Sequence, residues 1–291
     1  MNGLKIQLNV SVTDTTLPII ADDPIISVGG LVLLDFASNK GYTGSTPPAL
    51  SGTLPNVAWK QAAAILGSGD ATTLANRCTF DTTASVPLGH KKEFTSKRGL
   101  HIISSQVNQT ANTGYMIQAA TPIQQYMTDN PTHSAFMGFW LYDTRPALTE
   151  NTTIGGIYNN TSTPNNNKLL FLSSTVVPAS GSRFLGSTSV PSSPNVVGKC
   201  YRSVGASGTM GTIPTQFRAM LARIANEGAY QNLEINKTGS MIFYKVYIED
   251  LTVSGRTFAE VDILFKSQYD AAFAVGGAYY GDSYTDPATL A

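Results

Sequence analysis

Apolar and polar residues alternate through the first dozen positions. Leu4, Ile6, Leu8, Val10 and Val12 fall on one side, with Lys5, Gln7, Asn9 and Ser11 between them. A period of two predicts a half-buried strand. The stretch TDTTLPIIADDP that follows holds two prolines and several turn residues and reads as an extended linker. Residues 1–25 are therefore expected to form an arm that pairs outside its own core. Residues 26–36 are strand-like with a break at Gly29-Gly30, the mark of a bulge or bend. Residues 37–56 read as a loop, and VAWKQAAAIL at 57–66 as a short helix. A long turn-rich region follows, with a strand near 100–107. Residues 114–128 do not choose between helix and strand. AFMGFWLYD at 135–143 is expected to be a core strand ended by Pro146, with Trp140 buried between two sheets. Strands are predicted at 153–159 and 168–175, joined by the turn TSTPNNNK, and another at 216–224. Residues 178–214 read as irregular surface. SMIFYKVYIED at 240–250 is the clearest strand. After a turn at Ser254-Gly255, Thr257 and Glu260 have the spacing of a capping box opening a short helix.

Composition sharpens this picture. Only 13% of residues are charged, about half the typical share, and Gly, Ser, Thr and Asn fill the gap. Such a mix suits short strands and many turns rather than a helical bundle. Lysine plus arginine and aspartate plus glutamate balance at 19 each, so no basic excess points to nucleic acid. The closest basic group, His90-Lys91-Lys92 with Lys97-Arg98, reads as a solvated loop or strand edge. A chain of near-zero charge suits a subunit held in an assembly better than a free monomer. MNGLKIQLNV lacks the apolar block of a secretory signal, and no run approaches the ~18 apolar residues of a membrane span. Neither secretion nor a membrane partner is expected. The triplets Asn108-Gln109-Thr110 and Asn151-Thr152-Thr153 are then chance products of composition. Cys78 and Cys200 form no metal-ligand motif, and in a reducing compartment both would stay free thiols.

A family resemblance enters at Tyr244–Leu264. A strand ending in YKVYIEDL, a turn, and RTFAEV is similar to the closing strand and short helix of concanavalin A-like, laminin-G-like jelly rolls. Leu31–Phe36 resembles the opening strand of such domains, and Ala135–Tyr142 their central aromatic strand. IEDLTVSGRT and the tail phrase Tyr280–Pro287 (YGDSYTDP) also resemble structural proteins of tailed bacteriophages. The resemblance implies an all-β, two-sheet antiparallel jelly-roll sandwich over residues 26–275, with one or two short helices. The flanks would be extended terminal arms, residues 1–25 and a tail at 276–291. It further implies a virion protein of the tail, neck or capsid surface, a homo-oligomer that also contacts other virion proteins. The fold alone implies little about function.

Candidate chemistry points the same way. Glucanases of this fold use a Glu-x-Asp-x-x-Glu strand. Glu260-Val261-Asp262 begins that pattern, but Phe265 stands at the last position and the segment reads as a capped helix. Glu249 and Asp250 are adjacent and so face opposite sides of a strand. His90, His101 and His133 belong to no triad motif, and there is no Gly-x-Ser-x-Gly elbow. Asp22-Asp23, Asp129-Asn130 and Asp282 with Asp286 could supply oxygen to calcium, yet ordinary turns explain each. Trp59, Tyr42, Tyr158 and the tail tyrosines could serve as sugar platforms. No catalytic residue, metal or cofactor is therefore expected. The expected contacts are assembly contacts through Leu4, Ile6, Leu8, Val10, Tyr279, Tyr280 and Tyr284. The alternative is an adhesin recognising a host surface glycan; an endoglycosidase comes third.

Overall fold

The computed structural model describes residues 22–38, 40–81, 83, 90–106, 114–145, 153–159, 169–172, 196–203, 217–225 and 239–290. The alternating segment with Leu4, Ile6, Leu8 and Val10 lies outside these residues, as does most of 178–214. The chain opens with β1 (Gly30–Asp35), β2 (Thr53–Leu54) and α1 (Trp59–Leu66). Next come β3 (Asn76–Asp81), β4 (Lys91–Phe94), β5 (Leu100–Ile103), β6 (Gly114–Gln118) and α2 (Thr121–Asp129). The middle holds β7 (Ser134–Arg145), β8 (Thr153–Asn159), β9 (Leu169–Leu172), β10 (Val196–Ser203) and β11 (Phe217–Ala225). It closes with β12 (Ser240–Asp250), α3 (Leu251–Ser254), α4 (Phe258–Phe273) and a single 3-10 turn at Pro287–Thr289.

The strands form two six-stranded sheets, and every pairing described is antiparallel. The first runs β10-β7-β12-β5-β4, with β1 also on β12; the second runs β2-β3-β6-β11-β8-β9. The expectation of a β-rich, two-sheet antiparallel protein holds. The expectation of one or two short helices does not: four helices are described, and α4 has 16 residues. The stretch that fitted neither period splits into β6 and α2. Pro122 sits in the first turn of α2, where its missing N–H leaves no bond unmade.

The first sheet is covered on both faces, so the protein has three layers. One core cluster joins the two sheets through Met137, Phe139 and Leu141 of β7, Ile117 of β6 and Leu221 of β11. A second cluster lies on the far face, where Phe136 and Trp140 meet Val261, Phe265 and Tyr269 of α4. Trp140 is buried as expected, but between the first sheet and α4 rather than between the sheets. Alternation decides this: Phe139 faces the second sheet, so Trp140 must face away.

Both faces of β12 are buried along its whole length. Met241, Phe243, Val246 and Ile248 belong to the inter-sheet core, whereas Ile242, Tyr244 and Tyr247 belong to the helix side. The alternation slips by one after Tyr244, where the register with β7 shifts between Phe243 and Lys245. A bulge resets which face each residue meets, and it turns Lys245 toward the helix side. Lys245 Nζ lies 2.6 Å from Asp23, 3.2 Å from Asp35 and 4.4 Å from the centre of the Trp140 ring. Nearby, fully buried Glu249 accepts from Arg256 Nε at 2.9 Å and from the Tyr247 hydroxyl at 2.8 Å. Arg256 also donates to the carbonyl of Ile25 at 2.8 Å. Ile25 is itself fully buried, so the packed body begins before the arm boundary expected at residue 25.

Gly138 sits between Phe136 and Trp140 on β7. A Cβ there would lie 2.5 Å from the Phe265 ring, so α4 approaches only because the position has no side chain. Gly138→Ala is expected to lower stability by about 1–3 kcal/mol through overpacking. Denaturant unfolding checks this, and an unchanged midpoint would mean that α4 shifts freely.

Candidate functional site: a tyrosine pocket closed by the C-terminal segment

The site begins where α4 ends. Gly276 takes φ +83°, a left-handed conformation that suits glycine, and the chain reverses. The N–H of Tyr279 then bonds to the carbonyl of Ala272 at 2.9 Å. This return drops Tyr279 into the second core cluster, 4.4 Å from the ring centre of Tyr244 and 5.2 Å from that of Phe273. The segment continues across the outer face of the first sheet. Tyr284 packs edge-on against Tyr142 at 5.8 Å and against His101 at 5.2 Å.

A pocket of about 310 Å³ lies between the sheet and this returning segment. Tyr142 of β7, Tyr244 of β12 and Phe273 of α4 form its floor and one wall; Tyr279, Tyr280, Gly281, Asp282 and Tyr284 form the rest. Its one carboxylate, Asp282, accepts at Oδ1 from Ser96 Oγ at 3.0 Å, Lys97 N at 2.8 Å and Ser283 N at 2.9 Å. Its Oδ2 accepts from the Tyr244 hydroxyl at 2.9 Å. Burial first pushes the phenols of Tyr244 and Tyr284 above their ordinary range, followed by the Asp282 charge at Tyr244 and by the hydrogen bond with Tyr142 at Tyr284, so both stay protonated.

A latch beyond the pocket holds the segment down. Glu93 on β4 accepts from the backbone N–H and the hydroxyl of Thr285, each at 2.8 Å. It also pairs with Lys91 at 2.6 Å and with Nδ1 of fully buried His101 at 3.0 Å. His101 Nε2 meets Thr144 Oγ1 at 2.9 Å. Further along, Arg145 donates to the carbonyls of Pro287 and Leu290 at 2.8 and 3.2 Å. Burial works against the Glu93 charge, but hydrogen bonds from Lys91, Thr285 and His101 outweigh it and hold its pKa down to about 2, against 4.5 ordinarily. A carboxylate with a depressed folded-state pKa stabilises above its unfolded value and loses that contribution as pH falls through the folded one. The latch is thus expected to weaken between about pH 4.5 and about pH 2. NMR of the tail tyrosines should show release in that window. Glu93→Gln should already be loosened at neutral pH, and a tail equally held in both proteins throughout would contradict this.

The structure brings together the three tail tyrosines singled out as assembly contacts, but not as one exposed surface. Tyr279 is 3% exposed, so it cannot touch another subunit, and that expectation is corrected. Tyr284 is half-buried in its own domain, and Tyr280 alone of the three shows half its surface. Among the other candidates, Trp59 and Tyr42 pack against the inter-sheet core, and the side chain of Tyr158 lies outside the described residues. Asp22 pairs with Lys40 and Asp23 with Lys245, Asp129 accepts from Gln125, and Asp286 caps the last turn. Among the described residues, no group of three or more metal-ligating side chains gathers. Glu260 serves the predicted capping box with Thr257. Lys91 and Lys92 lie on the edge strand β4, paired with Glu93 and Asp81. Cys78 is a free, buried thiol, pushed by burial to about 11, and so is an inert one.

Sequence reasoning missed a cluster at the other end of β12. Asp250 Oδ2 lies 2.7 Å from His133 Nδ1 and accepts from the Tyr126 hydroxyl at 2.7 Å. Its Oδ1 caps α3 through the N–H groups of Thr252 and Val253. One carboxylate thereby ties α2, the start of β7 and α3 together. No sequence signal could pair residues 117 positions apart. A scan against protein-family models, and searches of curated proteins and of solved structures, give no match.

Proposed function

We propose that this chain is a structural or decoration protein of a bacteriophage virion, built as a concanavalin A-like jelly roll. It works through protein–protein contacts, with copies of itself and with other virion proteins, and performs no catalysis. One observation carries the reading. The two phage-like phrases lie on either side of α4, the helix that packs on the outer face of the first sheet. IEDLTVSGRT forms the end of β12, α3 and the cap of α4. YGDSYTDP lies on the same face, lines the pocket and reaches Glu93. The resemblance therefore falls on the two flanks of one helix. The jelly-roll reading is supported by the connections: from β5 onward nearly every one crosses between sheets, and β1 pairs with β12. Greek-key sandwiches are wound in this way.

Immunogold labelling and mass spectrometry of purified particles, with antibodies raised against this chain, test the proposal. Labelling on the tail, neck or head surface is expected; recovery only outside particles overturns it. Light scattering on the full chain should give a defined homo-oligomer. The adhesin reading has the aromatic pocket in its favour. Against it, most polar groups around that pocket are bonded to one another and leave few partners for sugar hydroxyls.

A further inference from the structure

The tyrosine pocket has an unusual chemical balance. Its lining holds six aromatic side chains and one carboxylate, and no lysine, arginine or histidine. A carboxylate has about four acceptor positions, and Asp282 already takes four donors. All four are neutral groups, two backbone N–H and two hydroxyls. Oδ1 of Asp282 is thus fully occupied and Oδ2 is already shared with one hydroxyl, while none of these partners is a cation. Tyr244 donates to Asp282, and Tyr279 donates toward Asp35 at 3.3 Å. What the pocket offers a ligand is aromatic surface and negative potential, with few free hydrogen-bonding groups.

We propose that this pocket binds a quaternary ammonium group of the choline type. A cation is drawn to aromatic faces by the ring quadrupole, more strongly where water is excluded, and the charge of Asp282 adds to that attraction. A primary ammonium carries three N–H donors that need acceptors, and the carboxylate has about one position left, at Oδ2. An alkylated head needs none. A sugar is neutral and rich in hydroxyls, so it would gain nothing from the charge and would lose hydrogen bonds to water. An anionic ligand is opposed outright. The volume of about 310 Å³ sits at the small end of ligand sites. It takes one head group with its tether leaving past Tyr280, which is 50% exposed.

The test is a titration of choline chloride into the full chain at constant ionic strength, followed through the tyrosine ring resonances by NMR. The control is 3,3-dimethylbutan-1-ol, the neutral isostere of choline. Saturable shifts of Tyr280 and Tyr284 are expected with choline, and binding about tenfold weaker with the isostere. Tyr280→Ala, at a half-exposed position, should keep the melting temperature and weaken choline binding about five- to tenfold. Asp282→Asn should narrow the gap between choline and isostere. If that variant fails to fold, the Tyr280 variant and the isostere still decide. Equal affinity for the two probes, no saturation, or binding indifferent to Tyr280→Ala overturns the proposal. So does a methyl glycoside that saturates the same resonances where choline does not.

Discussion

A chain ending at residue 275 is expected to lose most of its stability rather than merely its tail. Tyr279 is buried among Trp140, Tyr244 and Phe273, at ring distances of 6.3, 4.4 and 5.2 Å. Its removal opens a cavity on the helix side of the first sheet. The single change Tyr279→Ala isolates this effect. Truncating a large buried aromatic costs about 3–5 kcal/mol, which corresponds to roughly 10 °C in a chain of this size. The full truncation also leaves Glu93, Asp282's partners and Arg145 without the groups they hold, so it should cost more. Thermal unfolding followed by near-UV circular dichroism would measure both. A truncated chain that melts with the intact one would show that the segment is a passenger. This changes how assembly must be probed: a truncation there removes core, so Tyr280→Ala is the cleaner probe of a contact through the tail.

Arg256→Met should be nearly as damaging. It leaves fully buried Glu249 with the Tyr247 hydroxyl but without its cation, and it strips a donor from the carbonyl of Ile25. Breaking one side of a buried ion pair costs about 3–5 kcal/mol, whereas replacing both partners by apolar groups of similar size is often far milder. The double change Glu249→Met with Arg256→Met is therefore expected to recover part of the loss. Chemical denaturation of the three proteins forms the cycle. If the double variant is less stable than Arg256→Met alone, the loss comes from the carbonyl of Ile25 and from packing rather than from the stranded charge.

Much of the framework was legible because its signals are local. The capping box at Thr257 and Glu260, the short helix α1, and the strands β7, β8 and β12 all announce themselves within a window of about ten residues. Where the sequence reading fell short, the cause is physical. β3 and β4 carry no strand signal in the sequence because they are short and charged: Arg77 and Asp81 in one, Lys91, Lys92 and Glu93 in the other. β10 lies in a stretch whose glycines and prolines masked it. The helix opened by Thr257 is expected to be short, although Val261, Phe265 and Tyr269 repeat at the four-residue spacing of a buried helical stripe. Missing that stripe hid the third layer and put Trp140 on the wrong face. The pocket was legible only as a cluster of tail tyrosines. Its other half comes from β7, β12 and α4, and no local pattern links Tyr142 to Tyr284.

The placement of β12 has a consequence for how this protein comes into being. It lies between β7 on one side and β1 and β5 on the other, and its register with β1 joins Gly30 to Glu249. Until residue 250 has left the ribosome, the first sheet is missing its middle strand. The edges of β1, β5 and β7 that β12 will fill stay open, with their apolar faces uncovered. Contacts so distant in sequence make closure slow, and open strand edges invite pairing between nascent chains. This sheet therefore closes only once residue 250 is free to pair. Chains crowded on one message would meet one another's unfinished edges before they meet their own last strand.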